Sequence, residues 1–424
     1  MSKGVVTCLI IGAGQRGYAY SDFARLHPDK LKIVGIADKN ELRRNRVKDE
    51  ANISQQYTFT DWKDAAKLDR FADCAVISTQ DREHKEPAIA FASKGYHILL
   101  EKPMAVTEAD CKEIVKTCKE NNINLTVCHV MRYTPEARKI KELISNGSIG
   151  EVVNIQLIEP VGSFHFSHSY VRGNWRREEL SSCSLLAKSC HDIDLIVDWM
   201  EGTKCKAVSS FGSLKHFRKE NKPEGASDRC LSCHLKNSCP YSAVAYLDEV
   251  KSFNTGWPVS VLSDNPDIEN ITEALKTGPY GRCVYSCDND VVDNQVVNME
   301  FENGSTASFT MVAFTKKTCV REVKIFGTKG EIRCEFDENL VKQADFVSGQ
   351  TYFHTFKRNG GNYGRLSGHG GADYHTMKAF VDAVAERDES KNLSGPDQTL
   401  QSHLLVFAAE KSRLTKTTVY PQLN

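Results

Sequence analysis

Apolar residues in the first 130 positions gather in short unbroken runs: VVTCLII (5–11), LKIVGIA (31–37), DCAVIST (73–79), YHILLE (96–101) and NLTVCHV (124–130). Runs of this length, rich in Val, Ile and Leu, suit strands buried on both faces, as in a parallel sheet. Amphipathic stretches such as EADCKEIVKTCKENN (108–122) fill the intervals. Strand–helix alternation of this kind predicts a doubly wound α/β domain over residues 1–135.

Beyond residue 150 the pattern changes. VVNIQLIE (152–159), CKAVSSFGSL (205–214), QVVNMEFENGSTASFTMVAF (295–314) and TCVREVKIFGTKGEIRCEF (318–336) carry β-branched residues in partial alternation. Their NGS and GTKG pieces read as hairpin connections. The expectation for 136–424 is an α+β domain: a mostly antiparallel, open-faced sheet with helices at 373–387 and 397–413. A polar insertion at about 217–290 has little periodicity.

A chain of 424 residues is long for one core, which agrees with two domains. Basic and acidic residues balance at 55 each, so no excess of positive charge is available for nucleic-acid phosphates. No apolar run reaches the length of a membrane span. With no export signal recognised, the fifteen cysteines read as thiols or metal ligands of a cytoplasmic protein, not as disulfides.

VVTCLIIGAGQRGYAYSDFARL places Gly12, Gly14 and Gly17 in G-x-G-x-x-G spacing, directly after a strand and opening a helix. Gly12 permits the tight turn, Gly14 lets backbone approach a pyrophosphate, and Gly17 lets helix and strand pack closely. Gln15 and Arg16 lie at the helix N-terminus, whose free N–H groups and dipole favour phosphate. Strand 31–37 runs into Asp38, placed to bind ribose hydroxyls. That carboxylate favours NAD over NADP, although Lys39, Arg43 and Arg44 lie nearby.

The stretch AVISTQDREHKEPAIAFASKGYHILLEKPMAVT resembles the glucose–fructose oxidoreductase/inositol dehydrogenase (Gfo/Idh/MocA) family. The resemblance rests on Thr79, Asp81 and His84, on Glu101-Lys102-Pro103, and on Arg132, Tyr133 and Pro135; Gln80 stands where the family has a proline. It implies that Thr79, Asp81, His84, Glu101, Lys102 and Arg132 join the glycine turn in holding the cofactor. It also implies that the Glu-Lys-Pro lysine touches substrate beside the nicotinamide, and that subunits pair through the C-terminal sheet as a homodimer or homotetramer.

LLAKSCHDIDLIVDWM (185–200) reads as one amphipathic helix. It matches the family's catalytic segment at His191, Ile193 and Asp194, but Ala187 replaces the family's aspartate. Lys188, His191 and Asp194 then share a helix face. His191 suits proton transfer from a hydroxyl. Lys188 would hold an anionic group, or act as a base if burial lowered its pKa. Lys102, His191 and Lys188 are thus the catalytic candidates, with Arg132, Asp194 and His369 as substrate contacts. His369 lies in GHGGADYHT, where Asp373 also reads as a helix N-cap.

Within the insertion, Cys230, Cys233 and Cys239 have C-x2-C-x5-C spacing, and Cys283 and Cys287 follow. Cys230, Cys233, Cys239 and Cys283 would complete a closed structural zinc site, with His234 or Cys287 as substitutes. An iron–sulfur cluster and free thiols are the other readings.

The combined expectation is an NAD-dependent oxidoreductase transferring a hydride to or from a sugar, polyol or related hydroxylated substrate. Two alternatives share its cofactor site. One is an NAD-dependent glycoside hydrolase or lyase working by transient oxidation; the other is a non-catalytic NAD or metabolite sensor, suggested by Ala187.

Overall fold

The computed structural model describes residues 4–356 and 362–423. Six parallel strands form the first sheet: β1 (Val6–Ile11), β2 (Leu31–Ala37), β3 (Thr58–Phe59), β4 (Cys74–Ile77), β5 (His97–Leu100) and β6 (Leu125–Val127). Their order is β3-β2-β1-β4-β5-β6. The unbroken apolar runs have a direct cause. In β1, Cys8 and Ile10 enter a core on one face, while Leu9 and Ile11 enter a separate core on the other. A strand covered on both sides has no polar face to alternate. Edge strand β3, only two residues long, carried no such run.

The second sheet has eight strands: β7 (Val152–Pro160), β8 (Cys205–Ser213), β9 (Asn294–Phe301), β10 (Thr306–Val312), β11 (Glu322–Gly327), β12 (Gly330–Glu335), β13 (Leu340–Asp345) and β14 (Thr351–Thr355). Their order is β14-β13-β12-β11-β7-β10-β9-β8, antiparallel except where β7 meets β10. One face packs on helices Pro135–Ser145, Cys190–Trp199 and Pro396–Thr415; Ile155, Leu157, Val297, Met299 and Phe309 point into that core. The opposite face keeps Val153, Phe211 and Val296 exposed.

Two features go beyond the sequence pattern. Helix Ala372–Glu386 lies far along the chain, yet Met377, Phe380 and Val381 pack into the core beneath β1 and β2. The core of the first sheet therefore draws on residues well beyond 135. The insertion also has a small core of its own. Tyr246, Val259, Ile271, Leu275 and Tyr280 join helices Ala245–Lys251, Val259–Leu262 and Ile268–Thr277. The last of these has an Asp267 N-cap and apolar residues at i, i+3 and i+7 from Ile268, a legible helical signal.

Candidate active site

The glycine turn has the shape a dinucleotide requires. Gly12 has φ +86°, and a Cβ there would lie 2.7 Å from the Ser78 carbonyl oxygen. A Cβ on Gly17 would run into the Gly12 carbonyl, so helix Gln15–Leu26 sits directly on the turn. At Gly14, by contrast, the corresponding direction meets nothing within 4 Å. No side chain caps this helix, and its first N–H groups are available to an anion. Asp38 accepts from the Ala13 amide at 2.5 Å and the Asn40 amide at 2.7 Å, tying the end of β2 to the turn. This cradle and its carboxylate fit the adenylate half of NAD. Gln15 donates to Ser260 Oγ at 2.6 Å, a contact from the insertion that the sequence does not announce.

At the other end of the cleft, β5 runs into Glu101-Lys102-Pro103, with a cis bond before the proline. Several side chains pin this loop. His84 Nδ1 donates to the Pro103 carbonyl at 2.7 Å, the Met104 amide donates to His403 Nε2 at 2.9 Å, and Glu101 accepts from the Lys102 amide at 3.0 Å. His84 thus lies behind the loop and shapes it. Glu101 is buried, yet Arg16 and Lys102 hold its carboxyl below the usual range. Asp81 is also buried and accepts from Trp175 Nε1, Ser181 and Ser182, joining the two domains. Thr79 donates to the Glu83 carbonyl at 3.0 Å.

Lys102 Nζ donates to the Ala187 carbonyl at 2.7 Å and lies 5.6 Å from the Trp175 ring centroid. The backbone oxygen at position 187 therefore engages the lysine where no acidic side chain is present. The expected single helix is broken here: Ser184–Ala187 and Cys190–Trp199 are separate segments, with Lys188 and Ser189 between. His191 is buried against His129, ring centroids 5.6 Å apart, and 6.1 Å from the ring of His369. Burial and the nearby Lys102 cation push the His191 pKa well down, leaving a neutral imidazole.

Lys188 and Asp194 do not sit as the helical spacing predicts. Lys188 Nζ lies 3.1 Å from Glu159 and donates to Cys319 Sγ at 2.9 Å. Burial opposes its charge, but Cys319 and Glu159 outweigh burial and raise the pKa. It is a firmly charged ammonium, unsuited to be a base. Asp194 forms a two-pronged bridge with Arg132, at 2.5 and 2.8 Å, with both side chains almost wholly buried. Arg132 also reaches Asp198 and the Leu393 carbonyl. This pair clamps helix Cys190–Trp199 to the end of β6 and faces no open cleft, contrary to the ligand roles expected for both.

His369 has φ +52° and donates from Nδ1 to Asp373 at 2.9 Å. Asp373 is buried and also accepts from Arg16 at 2.6 and 3.0 Å, while Arg16 donates to Glu101 at 2.7 Å. Burial disfavours the Asp373 charge, but Arg16 and His369 hold its pKa far down. One arginine of the glycine turn therefore couples the loop bearing Lys102 to the loop bearing His369. Asp373 lies four residues after His369, and that spacing is the signal from which the pair could have been read. His165, absent from the sequence candidates, is half-buried near Lys102 and Lys188, and its Nδ1 has no partner.

In the insertion, Cys230, Cys233, Cys239 and Cys283 line one cavity of about 160 Å³. The Cys230 amide donates a hydrogen bond to the Gly281 carbonyl and the Cys283 amide one to the Asp228 carbonyl, bringing the two segments together. Among the described residues, however, no three His, Cys, Asp or Glu side chains are grouped as a metal would require. The expected zinc cluster is not formed by these side-chain positions; all fifteen cysteines are free thiols.

Comparison with known proteins places this geometry. Residues 6–129 match the NAD-binding Rossmann domain of the Gfo/Idh/MocA oxidoreductase family, and residues 141–420 match its C-terminal α/β domain. The Bacillus subtilis (strain 168) oxidoreductase YteT is 23% identical over 316 residues, covering 71% of this chain and 70% of that one. The 2,7-anhydro-N-acetylneuraminate hydratase of Escherichia coli (strain K12) is 25% identical over 251 residues, covering 59% of this chain and 62% of the hydratase. The structure of a levoglucosan dehydrogenase in complex with NADH superposes with a TM-score of 0.71 at 18% identity, over 98% of this chain and 99% of that one. With both halves matched in order, the chain belongs to the Gfo/Idh/MocA family of oxidoreductases.

Proposed function

We propose that this oxidoreductase oxidises a hydroxyl of a sugar, polyol or related substrate, using NAD. The observation that carries the reading is the proximity of Lys102, His191 and the His369–Asp373 pair, linked through Arg16 to the glycine turn. Bound NAD supplies the hydride acceptor. Gly12, Gly14, Gln15, Arg16, Gly17 and Asp38 hold it, and Thr79, Asp81, His84 and Glu101 shape the nicotinamide end.

Lys102 presents its ammonium to the reacting oxygen and stabilises developing negative charge. His191, neutral at pH 7, orients that hydroxyl and takes its proton. His369, with Nδ1 committed to Asp373, offers Nε2 to a neighbouring hydroxyl. The likeness to a sugar-acid hydratase and to a levoglucosan dehydrogenase supports a carbohydrate-like substrate.

The test is a panel of sugars, anhydrosugars, polyols and sugar acids incubated with enzyme and NAD+, read by absorbance at the NADH band and by product analysis. Stoichiometric NADH supports the reading. Product with no net NADH indicates redox-neutral bond cleavage or hydration, the reading favoured by the hydratase relative. No turnover over the panel, with dinucleotide bound, favours a sensor.

We also read the cysteine cavity as a structural zinc site whose four thiols close on the ion when it binds. Its support is the shared cavity and the C-x2-C spacing. The exposed apolar face of the second sheet supports a homodimer or homotetramer, checked by light scattering. Fifteen unpaired thiols support a cytoplasmic location. No helix among the described residues is long and apolar enough to cross a membrane.

A further inference from the structure

The insertion reaches the cofactor cleft. Its small core seats helix Val259–Leu262 through the buried Val259, and the chain then turns back toward the Rossmann half. Ser260 accepts from Gln15 of the glycine turn at 2.6 Å. Four residues later, Asp264 accepts from Arg43 Nε at 3.0 Å and from Asn40 Nδ2 at 3.3 Å. Gln15 marks where the pyrophosphate meets the helix. Asn40 and Arg43 follow Asp38, the residue that meets the adenosine ribose. One short segment of the insertion therefore touches both ends of the adenylate subsite.

The charges around this subsite show what the contact does. A 2′-phosphate on the ribose would need a free cation just after β2, where NADP-binding proteins place an arginine. Four basic residues are candidates. Lys39 is paired with Glu83 at 3.1 Å. Arg44 donates to the Asp38 carbonyl at 2.7 Å. Arg46 stacks 3.5 Å from the centroid of the Tyr18 ring. Arg43 is the fourth, and Asp264 occupies it, with the two side chains 36% and 28% exposed. Asp264 also adds a second negative charge to the neighbourhood of Asp38.

We propose that Asp264 of the insertion is a specificity-determining residue of the cofactor site, selecting NAD against its 2′-phosphorylated form by engaging Arg43 and repelling the phosphate. The proposal rests on the dinucleotide reading of the Rossmann half and extends it to a segment outside that domain. Asp264→Asn keeps the shape and an acceptor oxygen but removes the charge, leaving Arg43 able to meet a phosphate.

The test is titration calorimetry of the full-length protein with NAD+ and with NADP+. It compares wild type, Asp264→Asn, and Asp264→Asn combined with Arg43→Ala. Wild type is expected to bind NAD+ more tightly. Asp264→Asn should tighten NADP+ about tenfold, the effect of one surface charge pair near a phosphate, while NAD+ changes by less than about twofold. Adding Arg43→Ala should abolish the gain. An unchanged NADP+/NAD+ ratio in Asp264→Asn overturns the proposal, as does a gain that survives loss of Arg43. Near-normal NAD+ affinity in the variants reports intact folding. A wild-type protein that binds neither dinucleotide overturns the cofactor reading itself, a result distinct from an unchanged ratio.

Discussion

Arg132→Met separates two accounts of the same residue. If Arg132 contacted substrate or cofactor, its loss would weaken ligand binding and leave stability nearly intact. The structure gives it a different task. Its side chain is 2% exposed, and its guanidinium bridges Asp194 while bonding to Asp198 and the Leu393 carbonyl. Methionine fills much of the volume but leaves the Asp194 carboxylate buried beside His129, whose ring nitrogens have no hydrogen-bond partner. Removing one member of a buried pair costs about 3–5 kcal/mol, much of it the uncompensated charge left behind. Asp194 can escape part of that cost by taking up a proton, so the loss should be smaller at pH 5 than at pH 8. Equilibrium urea unfolding followed by circular dichroism measures it, with NAD+ affinity measured in parallel. A further Asp194→Leu change should recover part of the loss, because the orphaned charge is gone. A variant with wild-type unfolding but weakened NAD+ or substrate binding would refute the structural assignment and restore the ligand role.

Other outcomes follow from the same geometry. His129, His168 and His403 are pushed down to about 3, 4 and 4 by burial, so each stays neutral in the folded state where an unfolded histidine would protonate. Stability should be full above about pH 6.5 and fall toward pH 4, by up to about 1.4 kcal/mol per pH unit for each histidine; denaturation midpoints across that range check it. Gly12→Ala should lose NAD+ binding by calorimetry, since a Cβ at φ +86° meets the Ser78 carbonyl oxygen. Lys102→Ala and His191→Ala should each lower turnover at least ~100-fold while sparing NAD+ affinity; undiminished turnover in both would remove them from the chemistry. Metal analysis of the purified protein should find about one zinc per chain, and loss of it should loosen the insertion to protease. Iron, or no metal, would overturn that assignment.

The sequence displayed the fold more fully than the site. The parallel strands were visible because burial on both faces leaves a local apolar run, and the glycine turn because each glycine answers a local steric demand. Strands β13 and β14 lacked that signal, since Lys342 and Tyr352 sit toward a partly open sheet edge and the buried position 343 is a polar glutamine. At the site, Glu101-Lys102-Pro103 was legible as a motif. The fate of Lys188, Arg132 and Asp194 was not, because each depends on a partner distant in sequence: Glu159, or one another across 62 residues. Helical spacing put Lys188, His191 and Asp194 on one face, but the break at Lys188 sends that side chain to Glu159 while Asp194 turns to Arg132. The link from Gln15 to Ser260, 245 residues away, has no local trace.

Helix Ala372–Glu386 has a consequence for how the protein is made. The core beneath β1 and β2 needs Met377, Phe380 and Val381, which leave the ribosome only after the whole second sheet. Until then the nascent Rossmann half carries an uncovered apolar face beside Phe23 and Ile36. Such an intermediate invites chaperone binding and misassembly, and its folding waits for a contact spanning more than three hundred residues. A fragment ending near residue 135 would keep its glycine turn and still lack Asp373, the partner of Arg16. The cofactor half is therefore completed from the far end of the chain, and synthesis of the cradle precedes its stabilisation.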